Sequence, residues 1–320
     1  LTFTSKLNLS EIALFWPLST RQRCPPPTKK QTNPPVVAMS LIFRTALPRR
    51  LLQAVGAKPM TANLFVRPMS DAAADSPVEV LDSATYLNRL ESARPEYRSG
   101  QHAFYSSIVD GITKDTTMMV VPLDDRIVHR GHAVFDTANI KDGNMYGLNF
   151  HINRLLTSAK LAHIDTAEWP AERLKHILLH TAAAAGPTEN VFLRYWMSSG
   201  RSMFGIVPDP EQPTTFYALC HHYAPKLNNP VTAVQVGVPI KPKLLANIKS
   251  NNYLLNALVS MEAQEHGGYL GIQTDDEGLV TESAVGCIAI IDKNGTLRTP
   301  RFEKILRSTT LVRALELAPE

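Results

Sequence analysis

The sequence predicts an α/β protein, on three observations confined to residues 101–320. Short apolar strand-like runs recur, amphipathic segments of helical period lie between them, and turn signals separate the two. The Pro- and Asn-bearing stretch Tyr223–Pro230 reads as a linker. It divides this region into a small α/β domain at 101–222 and a larger one at 231–320.

In the first domain, Phe104–Val109 reads as a strand and Asp110-Gly111 as its turn. Met118–Pro122 is a further short apolar run. Val134–Ile140 and Met145–Leu148 are strand-like, and the intervening Lys141-Asp142-Gly143-Asn144 carries the Asp-Gly signal of a hairpin. From His151 to Ala162, one helix face collects Ile152, Leu155, Leu156, Ala159 and Ala162. Glu172–Ala185 is a second amphipathic helix, stopped by Gly186-Pro187. Val191–Met197 and Thr215–Cys220 return to strands.

The second domain opens on the strand Val231–Val238. Ser250–His266 has helical period, with Leu254, Leu255, Leu258 and Met261 directed inward, and ends at Gly267-Gly268. Leu270–Gln273, Leu279–Glu282 and Ile288–Ile291 are short strands, and Asn294-Gly295 turns the chain before Leu297. A last helix begins near Thr310. Its apolar face, Leu311–Leu317, lacks a partner in the sequence that follows, so the expectation is a truncated second domain.

Charge separates the first 70 residues from the rest. They hold ten Lys/Arg and one acid, Glu11, a balance of +9, whereas residues 71–320 hold 23 and 28, a balance of −5. The net +4 is therefore a property of the leader, and the globular part lacks a basic nucleic-acid footprint. The first methionine is Met39, the expected start. From Met39 to Ser70 no acid occurs, while Arg44, Arg49, Arg50, Lys58 and Arg67 alternate with apolar residues, the composition of a mitochondrial or plastid presequence. A disordered tail without an address has the same composition. Residues 71–100 read as a linker with a short helix at Ser83–Ala93. No apolar run reaches 18 residues, so no membrane span is expected. Cys24, Cys220 and Cys287 form no C-x-x-C pair, which fits a reducing compartment. His129 with His132, and Cys220 with His221 and His222, lack further ligands at metal spacing and read as structural. No phosphate-binding glycine motif of the nucleotide-binding folds is present.

Four residues or short segments have the chemistry of a site. Lys249 sits in a polar stretch between a strand and a buried helix, where a desolvated amine becomes a nucleophile. Glu282 ends an apolar strand, where a buried carboxylate needs a partner. Ser308-Thr309-Thr310 precede a helix whose first N–H groups can hold a phosphate. Arg154 lies on the first domain's helix and can clamp an anion. Taken singly, a solvated lysine, an edge-strand glutamate, an N-cap and a helix-surface arginine explain the same residues.

In this order the segments resemble the fold-type IV pyridoxal-phosphate enzymes, which include branched-chain and D-amino-acid aminotransferases and 4-amino-4-deoxychorismate lyase. The resemblance runs from about Phe104 to Leu317. It rests on Ile248-Lys249-Ser250-x-Asn252-Tyr253-Leu254-x-Asn256, on Val280-Thr281-Glu282 33 positions after the lysine, and on Ile305-Leu306-x-Ser308-x-Thr310. His151-Ile152-x-Arg154-Leu155 and Gly131-x-x-Val134-Phe135-Asp136 add to it. Tyr105–Thr113, Pro122-Leu123-Asp124-Asp125 and Leu193-Arg194-Tyr195-Trp196 are similar to the plant chloroplast D-amino-acid transaminase group.

The resemblance implies two α/β domains with a pyridoxal 5'-phosphate cleft between them. It implies Lys249 as the Schiff-base lysine and proton shuttle and Glu282 as the partner of the pyridine nitrogen. It assigns the phosphate to Arg154, Thr309 and Thr310, and a substrate-pocket wall to Phe135. Arg194, with Arg201 behind it, is the candidate for a substrate carboxylate. A homodimer acting on an amino acid and a 2-oxo acid follows by the same analogy, with D-amino acids ahead of branched-chain L-amino acids. The lyase and a non-catalytic paralogue are the alternatives. The chain departs from the family pattern where Ser283 replaces a glycine, Cys287 an asparagine, Ser308 a glycine and Leu311 an arginine.

Overall fold

In the computed structural model, residues 78–93, 100–186, 190–222 and 230–318 are described. The leader expected at 1–70 and nearly all of the linker at 223–230 lie outside the described residues, as do 71–77 and 94–99. Residues from Ala84 onward belong to one compact unit. It opens on the expected short helix, α1 (Ser83–Ser92).

Residues 101–222 build a six-stranded antiparallel sheet in the order β2-β1-β6-β5-β3-β4. Its strands are β1 (Gln101–Ser106), β2 (Gly111–Thr113), β3 (Ala133–Lys141), β4 (Asn144–Met145), β5 (Asn190–Ser198) and β6 (Thr215–His222). Side chains alternate between the faces of a strand. One face gathers Val134, Ala138, Leu193, Tyr195, Met197, Phe216 and Ala218 against two helices, α3 (Leu148–Leu161) and α4 (Ala171–Ala185). These helices bury Ile152, Leu155, Leu174 and Leu178, each contributing roughly 1.5–3 kcal/mol by leaving water. The other face presents Phe135, Thr137, Arg194, Trp196 and Tyr217.

Several boundaries differ from the sequence reading. The strand expected at Met145–Leu148 stops at Met145 because Gly147, at φ +59°, turns the chain and starts α3 at Leu148, three residues before His151. The apolar run Met118–Pro122 lies between a 3-10 turn at Thr116–Met118 and the short helix α2 (Arg126–His129). Asp125 caps α2 through the Ile127 N–H and is fully buried. It also accepts from the hydroxyls of Ser198 (2.5 Å), Thr215 (2.6 Å) and Tyr217 (2.6 Å), which fastens this turn to the end of the sheet.

Residues 230–318 form a three-stranded sheet, β7-β8-β9, with β7 (Ala233–Gln235) parallel to β8 (Leu270–Thr274) and β9 (Val280–Ser283) antiparallel to it. The helix α6 (Leu254–Glu265) packs Val259 and Ala263 against Val236 and Ala284. A one-turn helix, α5 (Lys243–Ala246), precedes it. A hairpin of β10 (Ile290–Ile291) and β11 (Leu297–Arg298) and the terminal α7 (Thr309–Leu317) follow. A Cβ at Gly271 would lie 2.7 Å from both Cγ1 and the carbonyl oxygen of Val259. Because a backbone oxygen cannot swing aside, Gly271→Ala is expected to destabilise the protein by about 1–3 kcal/mol, measurable as a lowered denaturant midpoint at unchanged slope.

The helix expected from Ser250 begins only at Leu254. Residues 249–251 instead run along the free edge of β3: Phe135 N–H donates to the Lys249 carbonyl (2.8 Å) and Asn251 N–H to that of Ala133 (3.0 Å). β4 pairs only with the far end of β3, at Ile140 and Lys141, which leaves this stretch of the edge open for them.

Candidate active site

Lys249 is held by its backbone on both sides, since its own N–H donates to Ser158 Oγ of α3 (3.1 Å). Its side chain then reaches over the second face of the large sheet. Nζ lies 3.2 Å from Tyr253 Oη, 4.7 Å from the Phe135 ring centre and 5.8 Å from that of Tyr253. Phe135 and Tyr253 meet edge to face at 5.0 Å. Burial brings the Lys249 amine down to about 8, and the cations of Arg154, Lys241 and Arg194 push the same way. Such an amine is substantially neutral near pH 8, the state in which nitrogen attacks a carbonyl or takes a proton. Burial also raises the Tyr253 phenol to about 12, so it remains a hydrogen-bond donor.

Glu282, half-buried on β9, faces the same cluster. Burial raises its pKa, while the Leu306 N–H (3.2 Å to Oε2), Lys241 and Lys249 act against that rise. Ser283, where the family pattern has glycine, still closes a tight hairpin through its N–H to Gly286 O (3.0 Å), with Glu282 bridged to Cys287.

Arg154 is clamped. Its Nε and one terminal nitrogen donate to the two oxygens of Asp136 at 2.7 and 2.8 Å, and His151 Nδ1 lies 3.0 Å from the same carboxylate. Burial alone would raise the Asp136 carboxyl, but Arg154 and then His151 outweigh it and hold it well below the usual carboxylate range. Arg154 Nη1 reaches the Arg307 carbonyl (3.4 Å), which places the guanidinium beside the start of α7. There Ser308 Oγ accepts the Leu311 N–H (3.2 Å), a conventional N-cap. Capping uses one of the N–H groups that a helix start leaves without an intrahelical acceptor, and those of Thr309 and Thr310 are left over. An arginine and two such amides have the chemistry to hold an anion.

Arg194 projects from β5 onto the face of Phe135. Its Nε donates to Thr137 Oγ1 (3.2 Å), and its guanidinium carbon lies 5.8 Å from the Phe135 ring centre. Arg201 stands elsewhere: its guanidinium pairs with Asp124 at 2.7–3.0 Å and is half exposed. The fold thus gathers Lys249, Glu282, Phe135, Arg154 and Arg194, and places Thr309 and Thr310 beside Arg154, while Arg201 is not among the groups that face Lys249. Sequence reasoning gave no role to Asp136, His151, Tyr253, Ser158 or Lys241. The first three lay inside the motifs already quoted, whereas nothing marked Ser158 or Lys241.

A D-amino-acid transaminase of Arabidopsis thaliana chloroplasts is 41% identical over 251 residues, covering 76% of this chain and 65% of that protein. The chain therefore spans about two thirds of that relative's length. A bifunctional aminodeoxychorismate lyase and D-amino acid transaminase of Mycobacterium tuberculosis is 26% identical, covering 66% of this chain and 76% of its own. The solved branched-chain amino acid aminotransferase of Escherichia coli superposes with a TM-score of 0.62 at 20% identity, covering 68% of this chain and 74% of that one, a likeness of fold. The amino-transferase class IV family profile matches residues 133–320, from the first residue of β3 through Lys249 and Glu282 to the last residue of the sequence. With more than half of the chain matched, and with Lys249 and Glu282 inside the match, this chain belongs to the class IV aminotransferases.

Proposed function

We propose that this chain transfers an amino group between an amino acid and a 2-oxo acid, with pyridoxal 5'-phosphate bound covalently through Lys249. The observation that carries this reading is the desolvated Lys249 amine facing Glu282 beside an arginine-and-amide anion site. Class IV aminotransferases use this cofactor, and the residues present fit it. An amine near its neutral form, a half-buried carboxylate that among the described residues accepts only the Leu306 N–H, and two spare helix N–H groups correspond to its aldehyde, ring nitrogen and phosphate. Pyridoxal phosphate supplies an electron sink for the substrate's α-carbon.

The chain's own groups do the rest. Arg154, fixed by Asp136, and the Thr309 and Thr310 amides would hold the phosphate. Glu282 would accept a hydrogen bond from the ring N–H. Lys249 Nζ, set free when the substrate's amine displaces it from the cofactor, would take the α-proton of the substrate, with Tyr253 Oη orienting that amine through their 3.2 Å contact. Arg194 receives the substrate carboxylate against the wall that Phe135 makes, and Arg201 belongs to an outer rim. Residues 101–222 and 231–320 are the two domains of this reading.

D-amino acids are the preferred donors, on the 41% identity with the chloroplast transaminase; the same likeness favours a plastid over a mitochondrion. Among the described residues no helix is long and apolar enough to cross a membrane. A homodimer fits the apolar patch of Leu123, Met203, Phe204, Ile206 and Val207, each 56–92% exposed. Arg126 holds that patch together by donating to the carbonyls of Gly205, Ile206 and Val207.

The test uses the whole chain with added pyridoxal phosphate. Borohydride reduction followed by peptide mass spectrometry is expected to place a phosphopyridoxyl group on Lys249, and D-alanine with 2-oxoglutarate to yield pyruvate. Absence of the adduct would return the chain to a non-catalytic paralogue. The relative that is also a lyase motivates one further arm: pyruvate released from aminodeoxychorismate without any 2-oxo acid acceptor would assign the lyase reaction instead. Sedimentation equilibrium checks the dimer, which requires twice the chain mass.

A further inference from the structure

Ser158 interrupts the apolar face by which α3 enters the core. Ile152, Leu155 and Ala159 on that face are each no more than 1% exposed, and neither is Ser158. Alanine fits such a position and is the better helix former. A buried hydroxyl is tolerated where it is bonded, and a serine inside a helix commonly turns back on the carbonyls of its own helix. Here Ser158 Oγ accepts the Lys249 N–H at 3.1 Å, from 91 residues further along the chain.

The bond is also unusual from the lysine's side. Two residues facing each other in the hydrogen-bonded positions of an antiparallel pair normally exchange both of their N–H···O bonds. Phe135 N–H donates to the Lys249 carbonyl at 2.8 Å, but the Lys249 N–H is directed to α3. The two peptides that flank the lysine are thereby tied to different elements, one to α3 and one to the sheet edge. Four residues before Ser158, on the same face of the same helix, stands Arg154. Its guanidinium donates to Asp136 at 2.7 and 2.8 Å and to the Arg307 carbonyl at 3.4 Å. About 6 Å of helix axis therefore separates the residue that reaches the start of α7 from the residue that holds the lysine.

We propose that Ser158 is a positioning residue, whose hydroxyl sets the Lys249 backbone at a fixed distance from Arg154 and makes α3 the ruler between the amine and the anion-binding end of the cleft. The proposal rests on the cofactor reading for its purpose, while the bond it relies on belongs to the cofactor-free protein. Losing the hydroxyl leaves the Lys249 N–H without its acceptor and frees the 248–249 peptide to rotate. The other two groups of the site keep their own anchors, Asp136 for Arg154 and the Leu306 N–H for Glu282. The damage is therefore confined to the bond that Lys249 makes.

The experiment compares two ligands of the full chain by equilibrium dialysis. Pyridoxal phosphate can bond covalently to Lys249; pyridoxamine phosphate, with an amine in place of the aldehyde, cannot. Alanine favours the helix, so Ser158→Ala folds. It is expected to bind pyridoxal phosphate about 10- to 100-fold more weakly than wild type, and pyridoxamine phosphate within about threefold of it. In the cofactor-free chain, NMR of nitrogen-15-labelled lysine follows the Lys249 amide, assigned with Lys249→Met. That amide is expected to exchange with solvent about tenfold faster, or more, in Ser158→Ala. Thr181→Val removes an equally buried hydroxyl bonded within α4 (2.8 Å to the Ile177 carbonyl) and is expected to change none of these quantities. Equal weakening of both ligands in Ser158→Ala would mark a general structural role and overturn the proposal. Unchanged pyridoxal phosphate binding or unchanged Lys249 exchange in that variant, or the same effects from Thr181→Val, would overturn it too. So would a wild-type Lys249 amide that exchanges as fast as an unstructured one, a result that needs no variant to fold. Failure of wild type to take up either ligand would overturn the cofactor reading instead, and the Lys249 exchange rates would then decide whether Ser158 holds the lysine.

Discussion

Lys249→Met will give two results of opposite sign. Turnover will fall by about 10⁴-fold or more, because the variant loses both the nucleophile for the cofactor and the base for the α-proton. The cofactor-free protein, in contrast, will become more stable at neutral pH. Burial, with help from Arg154, Lys241 and Arg194, lowers the amine from 10.5 in water to about 8 in the fold. Between those values the unfolded chain binds the proton that the folded chain has released, so stability rises with pH across that window. Above 10.5 the amine is neutral in both states and costs nothing; as pH falls through 8 the full cost is present, up to about 3 kcal/mol. Methionine has nearly the same length and no charge to desolvate, so the melting temperature of the variant will exceed that of wild type at pH 7, and the two will converge near pH 10.5. Equal melting temperatures across this range would mean that the amine is solvated, and the argument for a tuned lysine would fail.

Asp136→Ala will be among the most destabilising single substitutions in the described residues. The carboxylate is fully buried, accepts two hydrogen bonds from Arg154 and is bonded to His151. Removing it leaves a largely buried guanidinium without a counter-charge, a loss of about 3–5 kcal/mol. Removing both charges together, in Asp136→Ala with Arg154→Met, will cost less than Asp136→Ala alone, because the penalty lies in the stranded charge. Equilibrium denaturation of the two variants decides the point, and a double variant less stable than the single one would contradict it. The carboxyl is held below its ordinary value, so its contribution is complete above about pH 4 and disappears as pH falls through the depressed folded value. Wild type will therefore lose stability in acid that Asp136→Ala has already lost. Cofactor affinity will fall as well, since Asp136 fixes the guanidinium that points toward the start of α7.

What was legible in the chain followed from local periodicity. The helices α3 and α4 have one apolar stripe each, and the strands β5 and β6 alternate between a helix-covered face and an open one, so both could be read within a few residues. Boundaries moved where a single dihedral or a tertiary partner intervened. Gly147 adopted a left-handed conformation and advanced the start of α3. Residues 250–253 have helical period, yet the edge of β3 claimed 249–251 as partners, since hydrogen bonds to an open strand edge outweigh one marginal helical turn. That displacement fixes the backbone of Lys249 on a sheet, which no local pattern could have announced.

The sequence by itself determined the α/β class, the family and the identities of the groups that carry charge, because these depend on residue type, order and spacing alone. Only the tertiary structure decided which charges share a low-dielectric space. Arg154 meets Asp136 across 18 positions, Lys249 meets Ser158 across 91, and Glu282 reaches the N–H of Leu306, while Arg201 is drawn away to Asp124. The reason is physical: desolvation and Coulomb interaction depend on distance and burial in three dimensions, and one dimension of sequence specifies neither.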